Sequence, residues 1–82
     1  MKRVIQYIPD INGIYGIRIW VPTTDKDLLT FLRPICLWGG PTDSRWVGDI
    51  QEVMYELPLG IKDNPLWKKA CTYFEIELVQ LT

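Results

Sequence analysis

Histidine is absent from this 82-residue chain. With it go the commonest general base and the commonest zinc ligand. Cysteine is scarce: Cys36 and Cys71 are the only two. Without histidine, and so far apart, they make no recognisable zinc site. A secreted disulfide scaffold would normally carry more. We expect both thiols to be reduced and packed as small hydrophobes, and we expect no metal and no cofactor. Serine occurs once. Ser44 lies at an expected helix start, where capping is its ordinary role, and as a nucleophile it would lack an activating His or Lys. Gly39-Gly40-Pro41 has neither the spacing nor the lysine of a phosphate-binding loop. No catalytic residue is assigned.

Charge of one sign is also missing. Ten acids stand against nine bases, a net charge of −1. That balance argues against binding driven by nucleic-acid phosphates, and no basic amphipathic face suits a membrane surface. The uncharged stretch from Ile35 to Thr42 is too short and too rich in Gly and Pro to cross a bilayer. After Met1-Lys2-Arg3, the residues Gln6, Pro9 and Asp10 interrupt any apolar signal core, so a cytoplasmic location is expected.

What is present reads as one ordinary α+β domain over residues 1–82. Apolar residues make up 48% and charged residues 23%, a folded rather than a disordered composition. Lys2 to Ile8 and Ile14 to Val21 read as strands joined at Asn12-Gly13, a strong hairpin signal. A two-residue turn there would set Ile8 opposite Ile17 and Val4 opposite Val21. Val4, Ile8, Tyr15, Ile17, Ile19 and Val21 would then share the core face; Pro9 and Asp10 leave a wider loop open. Thr24 reads as the cap of a short helix, Asp25 to Arg33, limited by Pro34. Ile35 to Trp38 is either strand or buried connector.

The stretch from Trp38 to Leu57 reads as the element around which the rest is arranged. After the Gly-Gly-Pro break and Thr42-Asp43-Ser44, the apolar positions Trp46, Val47, Ile50, Val53, Met54 and Leu57 fall on one stripe of period 3.6. This predicts an amphipathic helix over 43–57, with Gly48 inside it costing about 1 kcal/mol relative to alanine. Asn64-Pro65 opens a last short helix, Leu66 to Cys71. A final strand follows, where Phe74, Ile76 and Leu78 alternate with Glu75 and Glu77. The expected order is β-β-α-α-(α)-β: a small antiparallel sheet of about three strands with two to three helices packed on one face.

Two features bear on function. Asp49, Glu52 and Glu56 line one side of the expected helix. Their ordinary role is a solvated face, and the functional alternative is a patch facing a basic partner. Four tryptophans exceed what a small core hides, about two, and aromatics left outside are the usual anchors of protein interfaces.

Two clusters carry a resemblance. Leu32-Arg33-Pro34-Ile35-Cys36 resembles a Leu-Arg-x-Ile-Cys segment, and Thr42-Asp43-Ser44-Arg45 resembles a Thr-Asp-Ser-Arg helix opening preceded by Trp and Gly. Both occur, in this order, in small type II-C anti-CRISPR proteins. Cys71-Thr72-Tyr73-Phe74-Glu75 is similar to the start of that family's last strand. The resemblance implies a non-enzymatic inhibitor that covers the active site of the HNH nuclease domain of an RNA-guided effector, leaving DNA bound but uncut. The family's Ser-Cys pair at that contact matches Ala70 and Cys71 here, so the serine is replaced. The partner-binding residues expected are therefore Asp49, Glu52, Glu56, Trp67, Ala70, Cys71 and Tyr73. The partner expected is a protein, which the resemblance implies is such an effector nuclease; no direct nucleic-acid contact and no membrane are expected. The chain is expected as a monomer or homodimer. The alternative is a small structural or assembly protein.

Overall fold

The sheet has five strands, not three, and the segment 43–57 is the reason. A computed structural model describes residues 2–9 and 16–81. Its elements are β1 (Arg3–Pro9), β2 (Ile17–Pro22), α1 (Lys26–Leu32), β3 (Asp43–Val47), β4 (Ile50–Leu57), α2 (Pro65–Tyr73) and β5 (Ile76–Gln80), with single 3-10 turns at Leu37–Gly39 and Ile61–Asp63. The strand order is β3-β4-β2-β1-β5. The α+β class stands, with two α-helices.

The expected helix over 43–57 is a β-hairpin. Val47 pairs with Ile50 and Trp46 with Gln51, so Gly48-Asp49 is a two-residue turn. Gly48 has φ +61°, and glycine at the first central position is what a type II′ hairpin turn needs. A Cβ on Gly48 would meet nothing within 4 Å, so this glycine serves backbone conformation and not close packing. Trp46, Val47, Ile50, Val53 and Tyr55 are the β-branched and aromatic residues that strands favour. Met54 and Tyr55 are adjacent yet both buried, because this part of β4 is shielded on both faces while its start at Ile50 is exposed. A strand covered on both sides loses its alternation, and its apolar positions here mimic a helical stripe. Ser44 is accordingly a strand residue and not a helix cap.

The first hairpin is shifted by one residue. Tyr7 pairs with Ile19 and Pro9 with Ile17, one residue away from the register expected of a two-residue turn at Asn12-Gly13. The expected Asn12-Gly13 turn itself lies outside the described residues. A one-residue slip exchanges the faces of a strand. Ile5 therefore enters the core at 2% exposed, while Val4 stands outside at 63%. The β2 face is as expected: Ile17, Ile19 and Val21 are all buried.

Helix α2 starts as the sequence indicates. The Asn64 side chain accepts from the N–H groups of Leu66 (2.9 Å) and Trp67 (3.3 Å), and Pro65 is the first helical residue. It runs to Tyr73, past the expected end at Cys71. In α1 the cap is Asp25 and not Thr24: its carboxylate accepts from the Leu28 N–H. Because α2 carries the chain across the sheet, β5 returns in the direction of β4 and pairs in parallel with β1, not antiparallel. Both helices pack on one face. Leu28 and Leu32 of α1 and Trp67 and Ala70 of α2 close over Ile5, Ile19, Tyr55 and Leu57. No helix among the described residues is long and apolar enough to cross a membrane.

Candidate functional site

The sheet face opposite the helices is only partly covered. Register places Met54, Trp20 and Arg45 on that side. Trp20 and Met54 are nonetheless buried, at 7% and 5% exposed. Arg45 is one cause: its guanidinium carbon lies 4.3 Å from the centre of the Trp20 ring. Arg45 is itself held by Glu52, to which Nε and Nη2 donate at 2.9 and 2.6 Å, and Nη2 also donates to Gln6 at 2.6 Å. Beside this group Arg18 lies 3.7 Å from Glu56, and the Trp38 indole N–H donates to the other Glu56 oxygen. The indole N–H of Trp20 has no hydrogen-bond partner among the described residues.

Two of the three acids expected to face a partner are thus neutralised inside the molecule. Glu52 holds Arg45, and Glu56 holds Arg18 and Trp38. They lie on the open sheet face and not along a helix. Asp49 sits in the hairpin turn, exposed. Trp67 and Ala70 are in the core, at 4% and 0% exposed, so neither side chain can touch a partner. Cys71 is half-buried and Tyr73 is 79% exposed. The seven expected residues therefore do not form one surface.

The surface that does form is the far end of the β3–β4 hairpin. Trp46 is 69% exposed, Val47 50% and Ile50 47%. Trp46 points to the helix side, where its exposure shows that the helices stop short of β3. Val47 and Ile50 pair on the other side. The tip is therefore apolar on both faces, with Asp49 at its turn. The 3.6-period reading hid these residues by assigning them to a buried stripe; the usable signal was Gly-Asp between two β-rich runs.

Trp38 is the second exposed tryptophan, 75% exposed and in left-handed backbone at φ 66°. That conformation is an outlier for so bulky a residue. Its indole bond to Glu56 and the following Gly39 and Gly40 hold the turn. Two tryptophans are thus buried and two exposed, the division expected of a core this small.

A shallow open depression of about 340 Å³ is lined by Arg3, Pro22, Thr24 and Asp25. Its charges are engaged in structure. Asp25 caps α1 with one oxygen and receives Arg3 Nε at 2.6 Å on the other. Arg3 also lies over the Phe74 ring and donates to the Phe74 carbonyl. This group fastens the start of β1 to both helices. Comparison of the chain with protein-family models, with curated proteins and with solved structures finds no match.

Proposed function

We propose that this chain is a protein-binding domain, an inhibitor or adaptor with no chemistry of its own, and that it presents the β3–β4 hairpin end to its partner. The observation that carries this is the exposure of Trp46, Val47 and Ile50 on both sides of a tight turn. A tryptophan on a pre-ordered strand pair is the kind of anchor that dominates interface energetics, because little entropy is lost in seating it. Asp49 at the turn favours a basic partner surface and speeds encounter with it.

The finer proposal follows the resemblance: an anti-CRISPR protein of a phage or mobile element, acting in the host cytoplasm by direct contact with an RNA-guided effector nuclease. The test is cleavage by type II and type I effectors with the chain in excess. Wild type should inhibit at least one effector. Trp46→Ser should weaken inhibition at least tenfold, since truncating a central aromatic costs about 2 kcal/mol. The resemblance puts the contact around Ala70–Tyr73 instead, so Tyr73→Ala is a separate arm. If it abolishes inhibition while Trp46→Ser does not, the hairpin is the wrong surface. If wild type leaves binding and cleavage by every effector untouched, the anti-CRISPR reading goes.

A further inference from the structure

We propose that two copies of this chain pair through β5, antiparallel and about a two-fold axis, joining two five-stranded sheets into one. Strand β5 is the sheet edge opposite the β3–β4 hairpin. The Arg3 N–H donates to the Glu75 carbonyl and the Leu81 N–H to the Tyr7 carbonyl. With the register running from Arg3 on Ile76 to Tyr7 on Gln80, the odd-numbered residues of β5 carry the bonds to β1. The N–H and C=O groups of Ile76, Leu78 and Gln80 therefore point out of the sheet. No strand among the described residues pairs with them. What such a row accepts is another strand. The side chains agree. Leu78 is level with the buried Ile5 and so lies on the helix side. Leu78 and Ile76 pack against the core yet are only half-buried, because the sheet ends beside them.

The residues of β5 select a second copy as that strand. In an antiparallel pair centred on Leu78, Leu78 meets Leu78 of the other copy, Ile76 meets Gln80, and Glu77 meets Val79. Each outward-pointing residue then exchanges both of its backbone bonds with one partner. The two leucines cover each other on the helix side. No like charges stand opposite: Glu77, the one charged residue of β5, faces a valine and is held by Lys2 of its own chain. Centring the pair on Glu77 would set two carboxylates opposite each other, and centring it on Val79 would leave Ile76 unpaired.

The two edges of the sheet differ in this respect. On β3 the Asp43 carboxylate accepts the Ser44 N–H at 2.7 Å, which blunts that edge. Strand β5 has no proline, no lysine and an unbroken register, so it lacks the usual devices that keep an edge single. A two-fold contact is closed, so assembly stops at two copies. The helices of both copies lie on one face, and the hairpins stay free at the two far ends. The dimer therefore stands whether or not the hairpin binds a partner.

The test is sedimentation equilibrium of the full chain at concentrations up to about 1 mM. Wild type should rise with concentration from the monomer mass of 9.6 kDa to twice that mass and no further. Val79→Glu sets a second carboxylate opposite Glu77 at both ends of the contact and should raise the dissociation constant about tenfold. Val79→Lys, with the opposite charge at the same place, should dimerise at least as well as wild type. Gln80→Pro removes an outward N–H, a change an edge strand tolerates, and should give a monomer with unchanged circular dichroism. Trp46→Ser, at the other edge, should dimerise like wild type, so this proposal and the hairpin reading fail separately. A wild type that stays monomeric overturns the proposal, as does growth beyond two copies. Equal dissociation constants for Val79→Glu and Val79→Lys would overturn the register centred on Leu78, and with it the choice of a second copy.

Discussion

Replacing Arg45 by alanine should cost about 2 kcal/mol of folding stability, well above the roughly 0.5 kcal/mol typical of surface changes. Three contributions add to that figure. The guanidinium sits 4.3 Å from the Trp20 ring centre in a partly shielded place, worth about 1 kcal/mol. The pair with Glu52, whose side chain is only 18% exposed, belongs near the upper end of the roughly 0–1 kcal/mol range for such bridges. The aliphatic stem of Arg45 covers indole surface, and about 20 Å² of re-exposed ring costs about 0.5 kcal/mol. Arg45→Lys keeps the charge but loses the planar stack and the forked donors, so roughly half the loss should remain. Glu52→Gln should cost about 1 kcal/mol, since it keeps the shape and removes the charge. The assay is urea unfolding followed by far-ultraviolet circular dichroism, because the signals of four tryptophans overlap in fluorescence. If Arg45→Ala lies within about 0.5 kcal/mol of wild type with an unchanged denaturant slope, the arginine is not what covers this face.

Gly16→Ala should destabilise by about 1–3 kcal/mol, because a Cβ there would lie 2.4 Å from the Pro58 carbonyl oxygen and 3.0 Å from Ile61 Cγ2; a melting temperature equal to wild type would contradict the close approach. Burial pushes the Cys36 and Cys71 thiols and the Tyr55 phenol above their usual ranges. The folded chain therefore holds these protons at pH values where the unfolded chain releases them. Their contribution is complete below the ordinary thiol value and is lost as pH rises through the thiol and then the phenol range. Melting temperature should fall over that alkaline window, and Cys36→Ser with Cys71→Ser should remove its thiol part; a flat profile would refute this.

How much of this was legible depends on whether one residue's chemistry decided the local structure or a distant neighbour did. Asn64-Pro65 decides locally: a side-chain acceptor followed by a residue with fixed φ starts a helix wherever it lies. Ile17, Ile19 and Val21 were equally readable, since the helices cover that face of β2, although Trp20 between them is buried on the other side. The register of β1 was not: the pairing of Tyr7 with Ile19 is one residue away from the one that Asn12-Gly13 suggests. Counting Asn12-Gly13 as the whole turn moved Val4 inward and Ile5 outward. The hairpin over 43–57 failed for a related reason. Ile50, Val53, Met54 and Leu57 fit a helical stripe, yet Met54 is buried by contacts on the open face and Leu57 by the helices on the other. Two unrelated burials produced one apparent period.

That failure also decided what could be seen of the site. In a helix, Trp46, Val47 and Ile50 would turn inward and the carboxylates would be free to face a partner. In a hairpin the roles exchange. Glu52 and Glu56 are drawn onto the sheet to hold Arg45 and Arg18, while the apolar residues at the tip have nothing above them. The charge that remains for a partner is carried by Asp49, held at the surface by the turn that Gly48 makes possible. An anchor built this way is stiff, because two strands and a two-residue turn fix it, and its rigidity depends on the Arg45–Trp20 stack beneath β4. Loosening that stack should therefore weaken any contact made by Trp46 even though Arg45 need not touch the partner itself.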